Sequence, residues 1–184
     1  MSIYKFLRVK LKTTSFLTLI FLEIEGWLLC LCSPWPGVIG FAMRNLILSI
    51  LTKSKTGMAW VQPRVIFVNT NKITMGKNCG INTGTYINAI GGIEMGNYVL
   101  IGSNVTISSG MHPIEGIEPT VYERPVIPKK IIIEDDVWIG AGAVIMPGIR
   151  IRKGTVVGAN AIVTKDTEEY SVVVGIPARK LRSR

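Results

Sequence analysis

Residues 133–168 fall into six consecutive hexads, IEDDVW IGAGAV IMPGIR IRKGTV VGANAI VTKDTE, and no other feature restricts the fold as much. Ile133, Ile139, Ile145, Ile151, Val157 and Val163 fill the first column. The fifth holds Val137, Ala143, Ile149, Thr155, Ala161 and Thr167, all small or β-branched, and glycine recurs in the fourth as Gly142, Gly148 and Gly154. A period of six matches neither the helical period of about 3.6 nor the strand period of about 2. It is a solenoid signature, with about three hexads to each three-sided turn. One aliphatic side chain per hexad points inward, and turns stack at roughly the 4.8 Å strand spacing. The expected fold is an all-β solenoid, a parallel β-helix.

Upstream, the register runs through Met75, Ile81 and Ile87, slips by two residues across Gly91–Glu94, and resumes at Met95, Ile101 and Ile107. Residues 61–72 read as a lead-in with strand-like pieces such as VIFV. Ile107 and Ile133 are 26 residues apart, four hexads plus two. Between them, residues 109–130 carry four prolines and most of the polar variety of the chain. This span reads as a loop extruded from the coil, the kind of segment that carries function on a rigid scaffold. After Val163 the chain leaves the repeat and closes on Pro177 and the cations Arg179, Lys180, Arg182 and Arg184.

The first sixty residues differ in character. A basic lead (Lys5, Arg8, Lys10, Lys12) precedes an apolar run from Phe16 to Cys32, which contains Glu23 and Glu25. SPWPG at 33–37 breaks any helix, and a second apolar run follows from Val38 to Leu51 with Arg44 inside it. As a helix the first run is about 26 Å long, short of a bilayer core of about 30 Å. Its internal charges make a clean crossing costly. Cations flank the pair on both sides, with Lys53 and Lys55 after it, so both ends belong on the cytoplasmic side. The expectation is a helical hairpin over residues 1–60, re-entrant or lying at the cytoplasmic face of the inner membrane. The alternative is a hairpin packed on a neighbouring subunit. No A-x-A-like cleavage site follows, so a secretory signal is not expected. The coil domain is then 61–184.

The net charge is +9. Residues 1–60 supply +5 of it, which favours an anionic membrane face over nucleic acid, for which neither an aromatic platform nor a helix-turn-helix pattern is present. Cys30, Cys32 and Cys79 form no disulfide frame, which fits a reducing compartment, and all three are expected as buried, inert thiols. His112, in the extruded loop, is the only histidine. Imidazole, with a reference pKa of about 6.5, suits proton transfer near neutrality. One histidine falls short of a three-ligand catalytic zinc site, so no metal is expected.

Four phrases, IGSNVTISSGMHP, DVWIGAGAVIMPGIRI, VVGANAIVTKD and VVVGIPARKLR, follow one another over about residues 75–182. Together they resemble the hexapeptide-repeat (left-handed β-helix) acyltransferases, most closely the galactoside, maltose and sugar O-acetyltransferase branch. The resemblance implies a left-handed coil, a homotrimer with sites between adjacent subunits, and acetyl-CoA as acyl donor. It also implies roles for individual residues. His112, in Gly110-Met111-His112-Pro113, matches the family's general base; the sequence itself shows no orienting partner for it, and Glu115, Glu123 and a backbone carbonyl are all open. Asn82 matches the acceptor-side asparagine. Trp138 matches the tryptophan beside the acyl-CoA arm, and the N–H of Ala141 would meet the thioester oxygen. Ala159 would hold the pantetheine amide, Thr164 and Lys165 the adenine and phosphate end, and Arg179 the phosphates. The N-terminal sixty residues depart from the soluble sugar enzymes and are more like the transferases of bacterial surface-polysaccharide synthesis. They imply a sugar hydroxyl on a polysaccharide or lipid-linked glycan precursor as acceptor. The alternatives are N-acylation of an amino sugar and a non-catalytic membrane-bound β-solenoid scaffold.

Overall fold

The computed structural model describes residues 15–53 and 59–184. From Trp60 onward the chain winds into a three-sided coil of short strands. Side one stacks β1 (Trp60–Val61), β4 (Gly80–Ile81), β7 (Leu100–Ile101), β12 (Trp138–Ile139), β15 (Val156–Val157) and β17 (Ser171–Gly175). Side two stacks β2 (Ile66–Val68), β5 (Tyr86–Asn88), β8 (Thr106–Ser108), β13 (Val144–Ile145) and β16 (Ile162–Val163). Side three stacks β3 (Ile73–Met75), β6 (Ile93–Met95), β11 (Ile131–Ile133) and β14 (Arg150–Ile151). Pairing is parallel and in register, so Val61, Ile81, Ile101, Ile139, Val157 and Val173 form one inward column. The β-solenoid expected from the hexads is the fold observed.

All six first-column residues are buried, to 2 % exposure or less. The fifth column is buried as well and fills the corners. Thr155 and Thr167 tolerate this because their hydroxyls bond each other at 3.0 Å, and Thr155 Oγ1 also donates to the Glu168 carbonyl. The two-residue slip has a plain structural meaning. Ile73 and Met75, Ile93 and Met95, and Ile131 and Ile133 are inward pairs, so side three carries one additional inward residue per turn until β14. The coil also begins earlier than the lead-in reading had it: Val61, Phe67 and Ile73, six residues apart and buried, already complete a turn. Nor does the repeat's end end the coil. β17 adds a further rung to side one before β18 (Ala178–Ser183) turns back antiparallel on it.

The hairpin consists of α1 (Phe16–Cys32) and α2 (Gly37–Leu51), broken at the predicted prolines. Its two inward charges complete the hydrogen bonding of the coil's first turn, which has no preceding turn to pair with. Glu25 accepts the N–H groups of Asn69 (3.1 Å) and Thr70 (2.5 Å). Arg44 donates Nε to the Val61 carbonyl (2.9 Å) and Nη1 to the carbonyls of Trp35 (2.6 Å) and Cys32 (3.2 Å). Both side chains are buried, and burial draws the Arg44 guanidinium below its ordinary pKa. Leu48 enters the coil's core. The opposite face of α1 carries an exposed apolar stripe of Phe16, Leu17, Ile20, Ile24, Trp27 and Leu31. Cys32 and Cys79 are buried as expected, but Cys30 is exposed, because it lies on this outer face beside Leu31. Among the described residues no helix is long and apolar enough to cross a membrane. The basic lead and Lys55 lie outside the described residues.

Candidate active site

Where side one turns into side two, the later turns of the coil carry glycine at the first corner position. That position is occupied by Gln62, Asn82, Gly102, Gly140 and Gly158 in successive turns, each N–H bonded to the strand-end carbonyl one turn on. A Cβ on Gly102 would lie 2.6 Å from the nitrogen of Ala141, and one on Gly140 would lie 2.6 Å from the nitrogen of Ala159. The two glycines therefore uncover those nitrogens. Neither N–H donates to any acceptor among the described residues, and both alanines are exposed. Uncovered donors at one-turn intervals, about 4.8 Å apart, can receive a chain of carbonyl oxygens. A thioester followed by the amides of a pantetheine arm has that form. Trp138 stands exposed on side one, two residues before Gly140, between the outward positions of Leu100 and Val156.

Asn82 lies on the same edge, one turn before Gly102. The corner's left-handed positions are Arg64, Gly84, Asn104, Gly142 and Asn160, so Asn82 is not there to satisfy a positive φ. Its Nδ2 donates to the Ile101 carbonyl at 3.1 Å, which fixes the amide, and its side-chain oxygen has no donor among the described residues. That oxygen can accept a hydroxyl proton.

His112 lies elsewhere. The extruded loop leaves the edge between sides two and three, where Ser109 N bonds the Asn88 carbonyl and Ser109 Oγ accepts the N–H of Gly91. Its foot is a two-stranded antiparallel pair, β9 (Gly110–Met111) with β10 (Ile127–Pro128). Gly110 is required there, since a Cβ would meet Ile90 Cγ2 at 2.5 Å. The next residue after β9 is His112, which is exposed and hydrogen-bonds no other described residue. Neither sequence candidate for its orienting partner reaches it: Glu115 accepts from the Ile114 N–H and Glu123 from the Thr120 hydroxyl.

At the far end of the coil, Lys165 and Arg179 line one cavity of about 160 Å³, together with Lys180, over Val163 and Val173. Lys180 is paired with Glu168 and Arg184 with Asp136, so these are not free tail charges. Arg179 has no carboxylate partner among the described residues, while Asp166 and Glu168 line the same cavity. Thr164 follows β16, on the His112 edge rather than the Asn82 edge, and does not line this cavity. Seven of the eight predicted site residues thus fall into two groups within one chain, and Arg179, on β18, belongs to neither. Asn82, Ala141 and Ala159, with Trp138 beside them, share one edge. His112, Thr164 and Lys165 share the next, with side two in between. No group of three or more His, Cys, Asp or Glu residues among the described ones is placed to hold a metal ion.

The coil and its uncovered edge define a β-helical transferase fold, and the comparisons place the chain within it. The family profile described as "Hexapeptide repeat of succinyl-transferase" matches residues 130–165. The galactoside O-acetyltransferase of Lactococcus lactis subsp. lactis is 40 % identical over 109 residues, covering 55 % of this chain and 51 % of that protein. The chain therefore spans about half the length of that curated relative. Two crystal structures superpose on most of the chain. A hexapeptide-repeat acetyltransferase of Vibrio cholerae O1 biovar eltor, complexed with acetyl coenzyme A, matches at TM-score 0.84 and 29 % identity, covering 92 % of this chain and 90 % of that one. A maltose O-acetyltransferase of Clostridium difficile 630 matches at TM-score 0.83 and 27 % identity, covering 92 % of this chain and 89 % of that one. The chain is thus similar, over most of its length, to hexapeptide-repeat, left-handed β-helix acetyltransferases, those of the galactoside and maltose type among them. From residue 59 on, the coil makes up only about two-thirds of the chain, so the structural matches take in the helical pair as well. The hairpin does not set this chain apart from the maltose-type enzymes, as its sequence had implied.

Proposed function

We propose that the protein transfers an acetyl group from acetyl-CoA to a sugar hydroxyl, with His112 as general base and the Asn82 edge as the donor site. One observation carries this reading: Gly102 and Gly140 uncover the Ala141 and Ala159 N–H groups, one turn apart, on the Asn82 edge. The acceptor oxygen, held by Asn82, attacks the thioester carbonyl while the His112 imidazole takes its proton. The Ala141 N–H receives the charge that develops on the carbonyl oxygen. As the carbon–sulfur bond breaks, the proton passes from His112 to the departing thiolate. No covalent enzyme intermediate is needed; Cys79 is buried and burial pushes its thiol pKa up.

His112 and Asn82 sit on different edges of one coil, so a complete site needs the His112 edge of a second protomer. The proposed assembly is a homotrimer, in which threefold rotation sets one protomer's Asn82 edge against its neighbour's His112 edge. The apolar outer surface of the loop (Ile114, Ile117, Val121 and Tyr122, all exposed) supports such a neighbour. The apolar stripe on α1, with Trp27 and Leu31, supports attachment to the cytoplasmic face of the inner membrane. There the acceptor would be a polysaccharide or lipid-linked glycan precursor.

The test is incorporation of labelled acetyl groups from acetyl-CoA into a membrane and polysaccharide extract, by wild type and His112→Ala. His112→Ala is expected to lose about 10²–10⁴-fold in rate while binding acetyl-CoA as wild type does, and wild type is expected to sediment with anionic vesicles. Equal rates would remove His112 as the base. Absence of acetyl-CoA binding would leave a non-catalytic scaffold, and failure to sediment would remove the membrane from the account.

A further inference from the structure

We infer that Arg124 is the residue that positions His112, an inference resting on the assignment of His112 as base. Arg124 lies in the extruded loop between exposed stretches, yet is itself only 7 % exposed. Its guanidinium serves four backbone carbonyls: Nε donates to Pro119 (2.7 Å), Nη1 to Glu115 (2.7 Å) and Pro113 (3.1 Å), and Nη2 to Gly116 (2.7 Å). No carboxylate pairs with it among the described residues.

The loop needs such a device. Residues 113–119 run outside the coil's ladders, two of the seven are prolines without an N–H, and their carbonyls would otherwise be left to water. Arginine's planar fork of five N–H groups can collect carbonyls from several directions, which a lysine ammonium on a flexible stem does less well. The consequence falls on His112. The residue before it, Met111, is held in the β9–β10 pair opposite Ile127, and the carbonyl of the residue after it, Pro113, is bonded to Arg124. The backbone of His112 is therefore fixed on both sides, although its imidazole has no orienting partner among the described residues. Neither Glu115 nor Glu123 is bonded to His112. Arg124 acts through the main chain rather than on the ring.

Arg124→Ala and Arg124→Lys, checked for wild-type oligomeric size, test this through two readouts. Steady-state kinetics should show kcat falling by about 10- to 100-fold, the loss that follows from misplacing a reacting group by about 1 Å. KM for acetyl-CoA should stay within about twofold, since the donor edge is untouched. Lysine should restore little of the rate. Because His112 is the only histidine, its imidazole proton resonances are unambiguous in an NMR spectrum. They should move toward free-histidine positions in both variants. Wild-type kcat in Arg124→Ala, or full recovery by lysine, would overturn the inference. An unchanged His112 resonance in Arg124→Ala would overturn it whatever His112→Ala does, so failure of the base assignment and failure of the positioning role are separable.

Discussion

The Ala159 nitrogen is open to solvent only because residue 140 is glycine, and the Ala141 nitrogen only because residue 102 is. Gly140 stands in the hexads two residues after Trp138. Gly102 was not singled out, because its effect is exerted on a backbone atom one turn and 39 residues away. Arg124 escaped for a similar reason: four carbonyls gathered by one side chain leave no spacing in the sequence. The cysteines were read from composition alone, which cannot tell the inner face of α1 from the outer. Cys30 is exposed, whereas burial raises the thiol pKa of Cys32 and Cys79. A thiol reagent should therefore modify one cysteine per native chain and three in denaturant. The folded chain keeps the other two protonated to higher pH than the unfolded chain does. Their contribution to stability is thus full at neutral pH and falls as pH rises through the thiol range. Three fast thiols in the native protein would contradict the packing of α1.

At the scale of elements, both helices and the prolines between them could be read directly, since a 17-residue apolar run ending in SPWPG leaves little choice. What the sequence could not supply was the direction of the charges. Glu25 and Arg44 looked like obstacles to membrane insertion; they prove to be the acceptor and donor that close the coil's first turn. Glu25→Ala leaves the Asn69 and Thr70 N–H groups buried without a partner and should cost about 1–3 kcal/mol for each group left unsatisfied. Glu23→Ala, at an exposed position on the same helix, should stay within about 0.5 kcal/mol. Chemical denaturation measures both. Equal effects would mean that the hairpin is not docked through Glu25. The slip at Gly91–Glu94 is the other element-scale lesson. It looked like an interruption because hexads count one inward residue per strand, whereas β3, β6 and β11 each carry two.

For the whole molecule, the period of six was enough to give the coil, and the 26-residue gap was enough to give the extruded loop. Neither could show that the predicted site residues divide between two edges, because that depends on which corner each turn reaches. The division makes the central claim testable without knowing the sugar: each site takes Asn82 from one protomer and His112 from the next. His112→Ala and Asn82→Ala subunits, each impaired alone, should be co-refolded in equal amounts and assayed for acetyl transfer to any accepted sugar. Random assembly of a cyclic trimer restores an intact pair at roughly one site in four, so the account predicts about a quarter of wild-type activity from the mixture. A mixture no more active than the two variants alone would place both residues of each site in one chain and contradict the account.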